Sequence, residues 1–333
     1  MTEKKAVRIL GGVCCALALL YAASFFAGTG TKSRPRAVRS ALLNPKYADT
    51  VAGVTISRAG QTAAVSKREG DVWIGTADGI AFPVESKTVA ELLETVKKIR
   101  NMYIISDDYT DKTGRSDPFQ LAEHSAYRLD FTLADGSVRP SLYFGANDYT
   151  GRRIYCRTSQ SDTVYETEDD LFPRLKTDAK SWADMRLIPQ SLTGALEPSA
   201  VQRIRITGGA SARTLTPKDA SFQDTARRIL SARAGAIIPD PDSRAGLANT
   251  RAAAPANVSA EAARITVDAG DGTVVTLAFF PARESAETDT YYVVPHIEPG
   301  PARNGAAFAE TIGSCSYALE ISSWTFENLI SPL

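Results

Sequence analysis

The chain has 333 residues, 44% hydrophobic and 23% charged, with 38 Lys+Arg against 38 Asp+Glu. That length allows two domains and a sizeable core. Zero net charge argues against nucleic acid as the main partner, because phosphate binding needs a basic surface. Two histidines, and four cysteines with no Cys-x-x-Cys spacing, indicate neither a zinc site nor a thioredoxin-like motif.

Lys4, Lys5 and Arg8 precede Ile9–Ala27, a run of 19 residues without a charge. At 1.5 Å per residue it spans about 28 Å, the hydrocarbon thickness of a bilayer. The segments read as a cytoplasmic tail over 1–8, a transmembrane anchor over 9–27 and a linker over 28–50. A cleaved signal peptide is the alternative, but no good Ala-x-Ala site follows. Lys32, Arg34, Arg36 and Arg39 lie beyond the run, so the charge rule leaves the orientation open.

Residues 51–191 form the first of two units. Val54-Thr55-Ile56, Thr62–Lys67 and Asp71–Ile74 read as strands. Thr88-x-x-Glu91 is a capping box, and Val89, Leu92, Leu93, Val96 and Ile99 follow the 3.6 period of an amphipathic helix. Met102–Ile105 reads as the apolar end of that helical region. Asp107–Ser125 is loop-like. Tyr127, Leu129, Phe131 and Leu133 alternate with polar residues, as in a half-buried strand. Asp135-Gly136 turns the chain into a return strand over Val138–Phe144. Arg153–Arg157 and Thr163–Thr167 are two more strands, Asp170–Leu175 is a short helix, and Trp182–Ile188 closes the unit.

Residues 197–333 repeat this order. Val201, Ile204 and Ile206 mirror the opening strand. Phe222, Ala226 and Ile229 mirror Val89, Leu93 and Val96 at an offset of 133, and Ile237-Ile238 mirrors Ile104-Ile105 at the same offset. Ala263–Phe280 is a second alternating hairpin whose Asp271-Gly272 lies 271 − 135 = 136 residues after the first Asp-Gly. Tyr291-Tyr292-Val293 mirrors Ile154-Tyr155-Cys156. Pro239–Ala262 and Pro299–Gly313 read as loops. The fold class is therefore α+β: an N-terminal transmembrane helix, then two tandem repeats, each an antiparallel sheet with a packed helix.

Chemical motifs are sparse. Asp107–Gly114 fails as a calcium loop, with Tyr109 and Lys112 at the third and sixth positions. His124 lies between Glu123 and Ser125, but no Gly-x-Ser-x-Gly elbow accompanies it. His296 reads as a surface or strand-end residue. Gly208-Gly209 reads as a hairpin turn, and no phosphate-binding loop exists. No catalytic, cofactor-binding or metal-binding residue is assigned, and no cofactor is expected. Tyr143, Tyr149, Tyr155, Tyr165, Tyr291 and Tyr292 gather around the strands, either as cross-strand packing or as a stacking surface for sugars or peptides. Cys156 and Cys315, one per half, are read as separate buried thiols, with a disulfide as the alternative.

Several of these stretches resemble one bacterial family. They are the anchor, Gly70-Asp71-Val72-Trp73, Ala90-Glu91-Leu92-Leu93, Leu129–Gly136, Phe144-Gly145, Arg153-Ile154-Tyr155, Thr163-Val164-Tyr165 and Asp184-Met185-Arg186-Leu187-Ile188. Together they resemble the domain-of-unknown-function 4340 family, membrane-anchored proteins associated with gliding-motility-type ABC transporters. A Gly-Leu-x-x-Pro-like segment belongs before the hairpin in that pattern, and Ser116-Asp117-Pro118-Phe119 fits it only in part. The resemblance implies a non-catalytic accessory subunit on the outer side of the cytoplasmic membrane. An ABC permease or another anchored envelope protein is the expected partner. An envelope glycan- or cargo-binding module is the alternative function, and an enzyme of unknown class the third.

Overall fold

The computed structural model describes residues 36–39, 42–68, 71–77, 80–109, 117–168, 171–194, 196–208, 212–238, 261–282, 290–301, 310–311, 315 and 317–331. The anchor at 9–27, residues 110–116 of the loop Asp107–Ser125 and most of the two long loops lie outside them. Among the described residues no helix is long and apolar enough to cross a membrane.

Period-two burial builds the first sheet. Its strands are β1 (Arg36–Arg39), β2 (Val51–Arg58), β3 (Gln61–Lys67), β4 (Trp73–Ala77), β5 (Ile80–Pro83), β6 (Asn101–Ser106), β7 (Tyr127–Leu133), β8 (Leu142–Asn147), β9 (Arg153–Thr158) and β10 (Val164–Glu168). They lie in the order β1-β6-β10-β9-β8-β7-β2-β3-β4-β5, all antiparallel. Val54, Ile56, Leu129, Phe131, Phe144, Ile154 and Cys156 are buried on one face. The helix α2 (Ser86–Lys98) shares their core through Val89, Leu92 and Val96.

The second sheet contains β11 (Val201–Gly208), β12 (Arg213–Leu215), β13 (Ala236–Ile238), β14 (Ala263–Ala269), β15 (Val274–Pro281), β16 (Thr290–Glu298) and β17 (Ala318–Ser322), with helices α4 (Phe222–Ser231) and α5 (Ser323–Ile330). Its order, β12-β11-β14-β15-β16-β17-β13, is that of β3-β2-β7-β8-β9-β10-β6 in the first sheet. The register agrees as well. The row Tyr127, Phe144, Cys156, Tyr165, Ile104 crosses the first sheet. Ala263, Phe279, Val293, Leu319, Ile237 is its counterpart in the second. Phe222, Thr225 and Ile229 of α4 are buried where Val89, Leu92 and Val96 are, each 133 residues later.

Several local expectations need correction. The helix begins at Ser86, not at a Thr88 capping box. Glu85 is its N-cap and makes no side-chain capping bond. Backbone bonds from Glu85 to Trp182 and from Asp184 to Pro83 pin the chain as it leaves β5, so the helix starts at once. Met102–Ile105 does not end a helix. It lies within β6, paired by β1 on one side and β10 on the other. A short apolar run takes its conformation from its neighbours, which periodicity does not reveal. The return strand starts at Leu142, because Pro140 has no N–H to give the ladder. Val138 makes only an isolated bridge to Thr132. The short helix expected over Asp170–Leu175 is a single 3-10 turn, Phe172–Arg174.

The expected linker is structured in its described part. Arg36–Arg39 pairs with β6, and the short helix α1 (Pro45–Ala48), capped by the Asn44 side chain, buries Leu43 and Ala48. Asp135-Gly136 and Asp271-Gly272 turn as expected. Both glycines have positive φ, and Asp135 and Asp271 accept the N–H of Ser137 and Thr273. Gly208 also has positive φ, and β11 and β12 pair antiparallel, while Gly209 of the expected turn lies outside the described residues.

The segment Asp184–Ile188 and α3 (Gln190–Thr193) join the two sheets. Leu187 N–H donates to Ala232, and Ala234 N–H to Met185. Buried Asp184 accepts the N–H of Arg186 and Gln190. Arg186 reaches Glu85 at 3.5 Å and Asp184 at 3.7 Å. Burial raises the Asp184 carboxyl above its usual range, although these N–H groups and Arg186 oppose the shift. One cluster of buried side chains includes residues of both sheets.

Candidate functional site

Strand alternation decides which side chains point away from the helices. Ile154 and Cys156 are buried on the inner face, so Arg153, Tyr155 and Arg157 stand on the outer one. Across the ladder this face continues through Arg128, Tyr143 and Arg157, and through Tyr155, Glu166 and Tyr103. The first sheet thus carries a second face of tyrosines and arginines.

The chain covers half of that face with its own segment 117–126. Arg157 lies over the rings of Tyr143 at 4.1 Å and Tyr109 at 4.8 Å, and donates to the Leu121 carbonyl. Asp117 accepts from Tyr109 Oη and from the N–H groups of Phe119 and Ala122. Leu121 and Ala126 are buried against Tyr143 and Val164. Gly145 allows the close approach. A Cβ there would stand 2.0 Å from the Phe119 carbonyl oxygen.

Beside the covered half lies an open trough of about 670 Å3. Its floor is Tyr155, Arg153 and Glu166, its far end is Ile105, and one wall is the β8–β9 turn over 148–152. Asp148 braces that turn. Its carboxylate accepts from Thr150 Oγ1 and from the N–H groups of Arg152 and Arg153. Burial works against the Asp148 charge, but these bonds outweigh it and hold the carboxyl below its usual range. Gly151 takes positive φ and donates back to the Asp148 carbonyl. The result is a stiff turn with Tyr149 at its tip, 98% exposed. Arg153 pairs with nearly buried Glu166 at 3.1 Å and lies 5.0 Å from the centre of the Tyr103 ring. Burial pushes the Tyr155 hydroxyl up, helped by the carboxylates of Glu166 and Asp148.

Other residues weighed in the sequence fall elsewhere. Glu123, His124 and Ser125 do not converge: Glu123 accepts from Tyr143 Oη, and Ser125 Oγ donates to the Ala122 carbonyl. His296 is exposed on β16, 3.5 Å from Glu298. Of the tyrosines, Tyr143 is buried and Tyr291 stacks on Phe326 at 3.8 Å, so both serve packing. Tyr149 and Tyr155 line the trough. Cys156 and Cys315 are both buried and are not bridged to each other. Among the described residues no group of three or more His, Cys, Asp or Glu is placed to hold a metal ion. Sequence reasoning missed the roles of Arg152, Arg153 and Glu166. The available cue was Asp148-Tyr149-Thr150-Gly151 followed by two arginines, a turn sequence with an aromatic at its tip.

The family described as a domain of unknown function (DUF4340) matches residues 73–246, about half of the chain. The chain belongs to that family. The match starts at β4 and runs through the first sheet, the trough and the joint into the second sheet. An uncharacterized protein of Treponema pallidum (strain Nichols) is 28% identical over 107 residues, 32% of this chain and 33% of the relative. The match thus spans about a third of the relative's length. No solved structure matches the chain.

Proposed function

We propose that this DUF4340 protein is a non-catalytic, membrane-anchored accessory subunit that holds a polypeptide partner outside the cytoplasmic membrane. The carrying observation is the braced turn with Tyr149 at its tip, beside a trough floored by tyrosine and arginine. A tyrosine on a rigid turn, with few rotatable bonds, loses little conformational freedom on binding, and tyrosine and arginine are both enriched where interfaces are strongest. The anchor would keep the site near its partner. Ala27 and Arg36 are 36 − 27 = 9 residues apart, a reach of at most about 30 Å. That tether raises the effective concentration of any membrane-embedded partner. An ABC-type permease, or another anchored protein of the same complex, is the partner this reading names.

A second reading takes the trough as an envelope-glycan site, and the two trough tyrosines favour it through stacking. Purification from native membranes after mild crosslinking tests the first reading. Recovery with a permease, lost in Tyr149→Ala, is expected. Recovery of the protein alone, with measurable hydrolysis of an envelope substrate, would overturn it.

A further inference from the structure

We propose that the free edge of β13 takes an extended segment of the partner polypeptide as an added antiparallel strand, with an aliphatic side chain beside Ile238. The proposal rests on the partner-holding reading and adds to it a second contact, apart from the trough. β6 and β13 are equivalent strands with different neighbours. β6 has β10 on one side and β1 on the other, whereas β13 ends its sheet with β17 on one side only. The chain approaches both edges in the same way. Leu42 N–H donates to the Ile99 carbonyl at 3.2 Å, and Leu187 N–H to the Ala232 carbonyl at 3.0 Å. The two acceptors are 232 − 99 = 133 residues apart, the repeat offset. Upstream of Leu42, Arg36–Arg39 runs along β6 and pairs with Asn101–Ile104. Upstream of Leu187 the chain leaves the edge. The Met185 carbonyl still accepts from Ala234 N–H, but Asp184 N–H donates to the Pro83 carbonyl and Ala183 bridges Val84, at the end of β5. The residues that would cover Ala236–Ile238 are thus tied to the first sheet. Among the described residues nothing takes on the second sheet the place that β1 fills on the first.

The open edge selects a polypeptide, because only a polypeptide offers N–H and C=O groups at the spacing of a ladder. Gly235 and Ala236 are exposed, and a Cβ added to Gly235 would meet only the Glu320 carbonyl oxygen, at 3.9 Å. Ala236-Ile237-Ile238 carries no charge of the kind that keeps exposed edges from pairing. Ile237 is buried on the inner face and fixes the strand in place. Ile238 is half-buried against the outer-face cluster of Phe280, Val294 and Ala318. Directly opposed residues of paired strands point to the same face, so the incoming residue opposite Ile238 extends that cluster when it is aliphatic. The edge is short, three residues or about 10 Å. Its backbone bonds supply affinity with little regard to sequence, and the contact at Ile238 supplies specificity.

The test uses the full chain in the membranes of cells that make it. The photoreactive amino acid benzoylphenylalanine replaces Ala236 in one variant and Tyr149 in another, and mass spectrometry identifies what is attached. A peptide of another protein is expected at position 236. Cysteines are then placed one at a time along that peptide, against Ala236→Cys or Ile238→Cys. With Ala236→Cys, one peptide position should form the disulfide about fivefold better than either neighbour, because neighbours in a strand point to the opposite face. With Ile238→Cys the favoured position should move two residues toward the peptide's N-terminus, and the natural residue there should be aliphatic. Equal yields along the peptide, a shift toward its C-terminus, a charged residue at that second position, or capture of another copy of this chain would overturn the added strand. Capture of a polypeptide at position 149 but not at 236 would also overturn it, while leaving the partner-holding reading in place. No polypeptide at either position would overturn both.

Discussion

The two sheets share seven strands in the same order and register, yet their outer faces differ. On the inner side, Phe144 and Phe279 occupy one position, and Ile104 and Ile237 another. On the outer side, Tyr143 and Arg157 of the first sheet correspond to Ala278 and Val294 of the second. Gly145, which lets segment 117–126 approach, corresponds to Phe280. Packing against helices demands apolar residues on the inner face of either sheet. The outer faces are packed differently: Phe280, Val294 and Ala318 form a buried apolar cluster on the second sheet, whereas segment 117–126 covers only part of the first. The polar, partly open face of the first sheet is therefore where a partner site is to be sought.

The largest effects should show the equivalence of the inner faces. Phe144→Ala and Phe279→Ala both empty fully buried sites, and each should cost about 3–5 kcal/mol in denaturant unfolding. Losses differing by more than about 2 kcal/mol would break the comparison. Gly145→Ala should cost about 1–3 kcal/mol through overpacking against the Phe119 backbone. Hydrogen exchange should then rise across residues 117–126 while β14–β17 stay protected. Equal loosening in both sheets would show that segment 117–126 is not a local cover of the first sheet.

The joint between the sheets gives a pH-dependent prediction. The folded pKa of Asp184 is raised, so its contribution is fully present below the unfolded value and is lost as pH rises through the folded value. Asp184→Asn lacks this titration. Relative to wild type it should therefore do best near neutral pH and lose ground as pH falls through the acid range. Asp148 acts in the opposite sense. Its folded pKa is lowered, so its stabilisation is present above the unfolded value and is lost as pH falls through the folded one. Melting curves over a pH series check the sign, and a constant gap between Asp184→Asn and wild type would refute it.

The smallest effect is expected at the trough. Tyr149→Ala should change stability by less than about 0.5 kcal/mol, because the ring touches solvent and its turn is braced by Asp148. Tyr291→Ala, which removes a ring stacked on Phe326, should cost more than about 1 kcal/mol. A destabilised Tyr149→Ala would mean that the residue is structural.

What was legible in the sequence follows from local chemistry. The hairpins were visible because alternation marks a half-buried strand and Asp-Gly supplies the positive φ at the turn. The stripe Val89, Leu92, Val96 and its counterpart 133 residues later were visible because helical periodicity needs no knowledge of the partner surface. The short runs were not. Met102–Ile105 and Ile237-Ile238 are strands only because β1, β10 and β17 offer them ladders. Arg36–Arg39 read as linker because four residues carry no period, and only the free edge of β6 makes them a strand. The trough was hidden for the same reason. Arg153 and Glu166 are 13 residues apart in sequence and meet through the pairing of β9 with β10. Segment 117–126 lies over that face only because Gly145 leaves room. The sequence by itself determined the inner faces, where burial imposes a periodic code on each element. The outer face depends on contacts distant along the chain, and only the tertiary structure decided it.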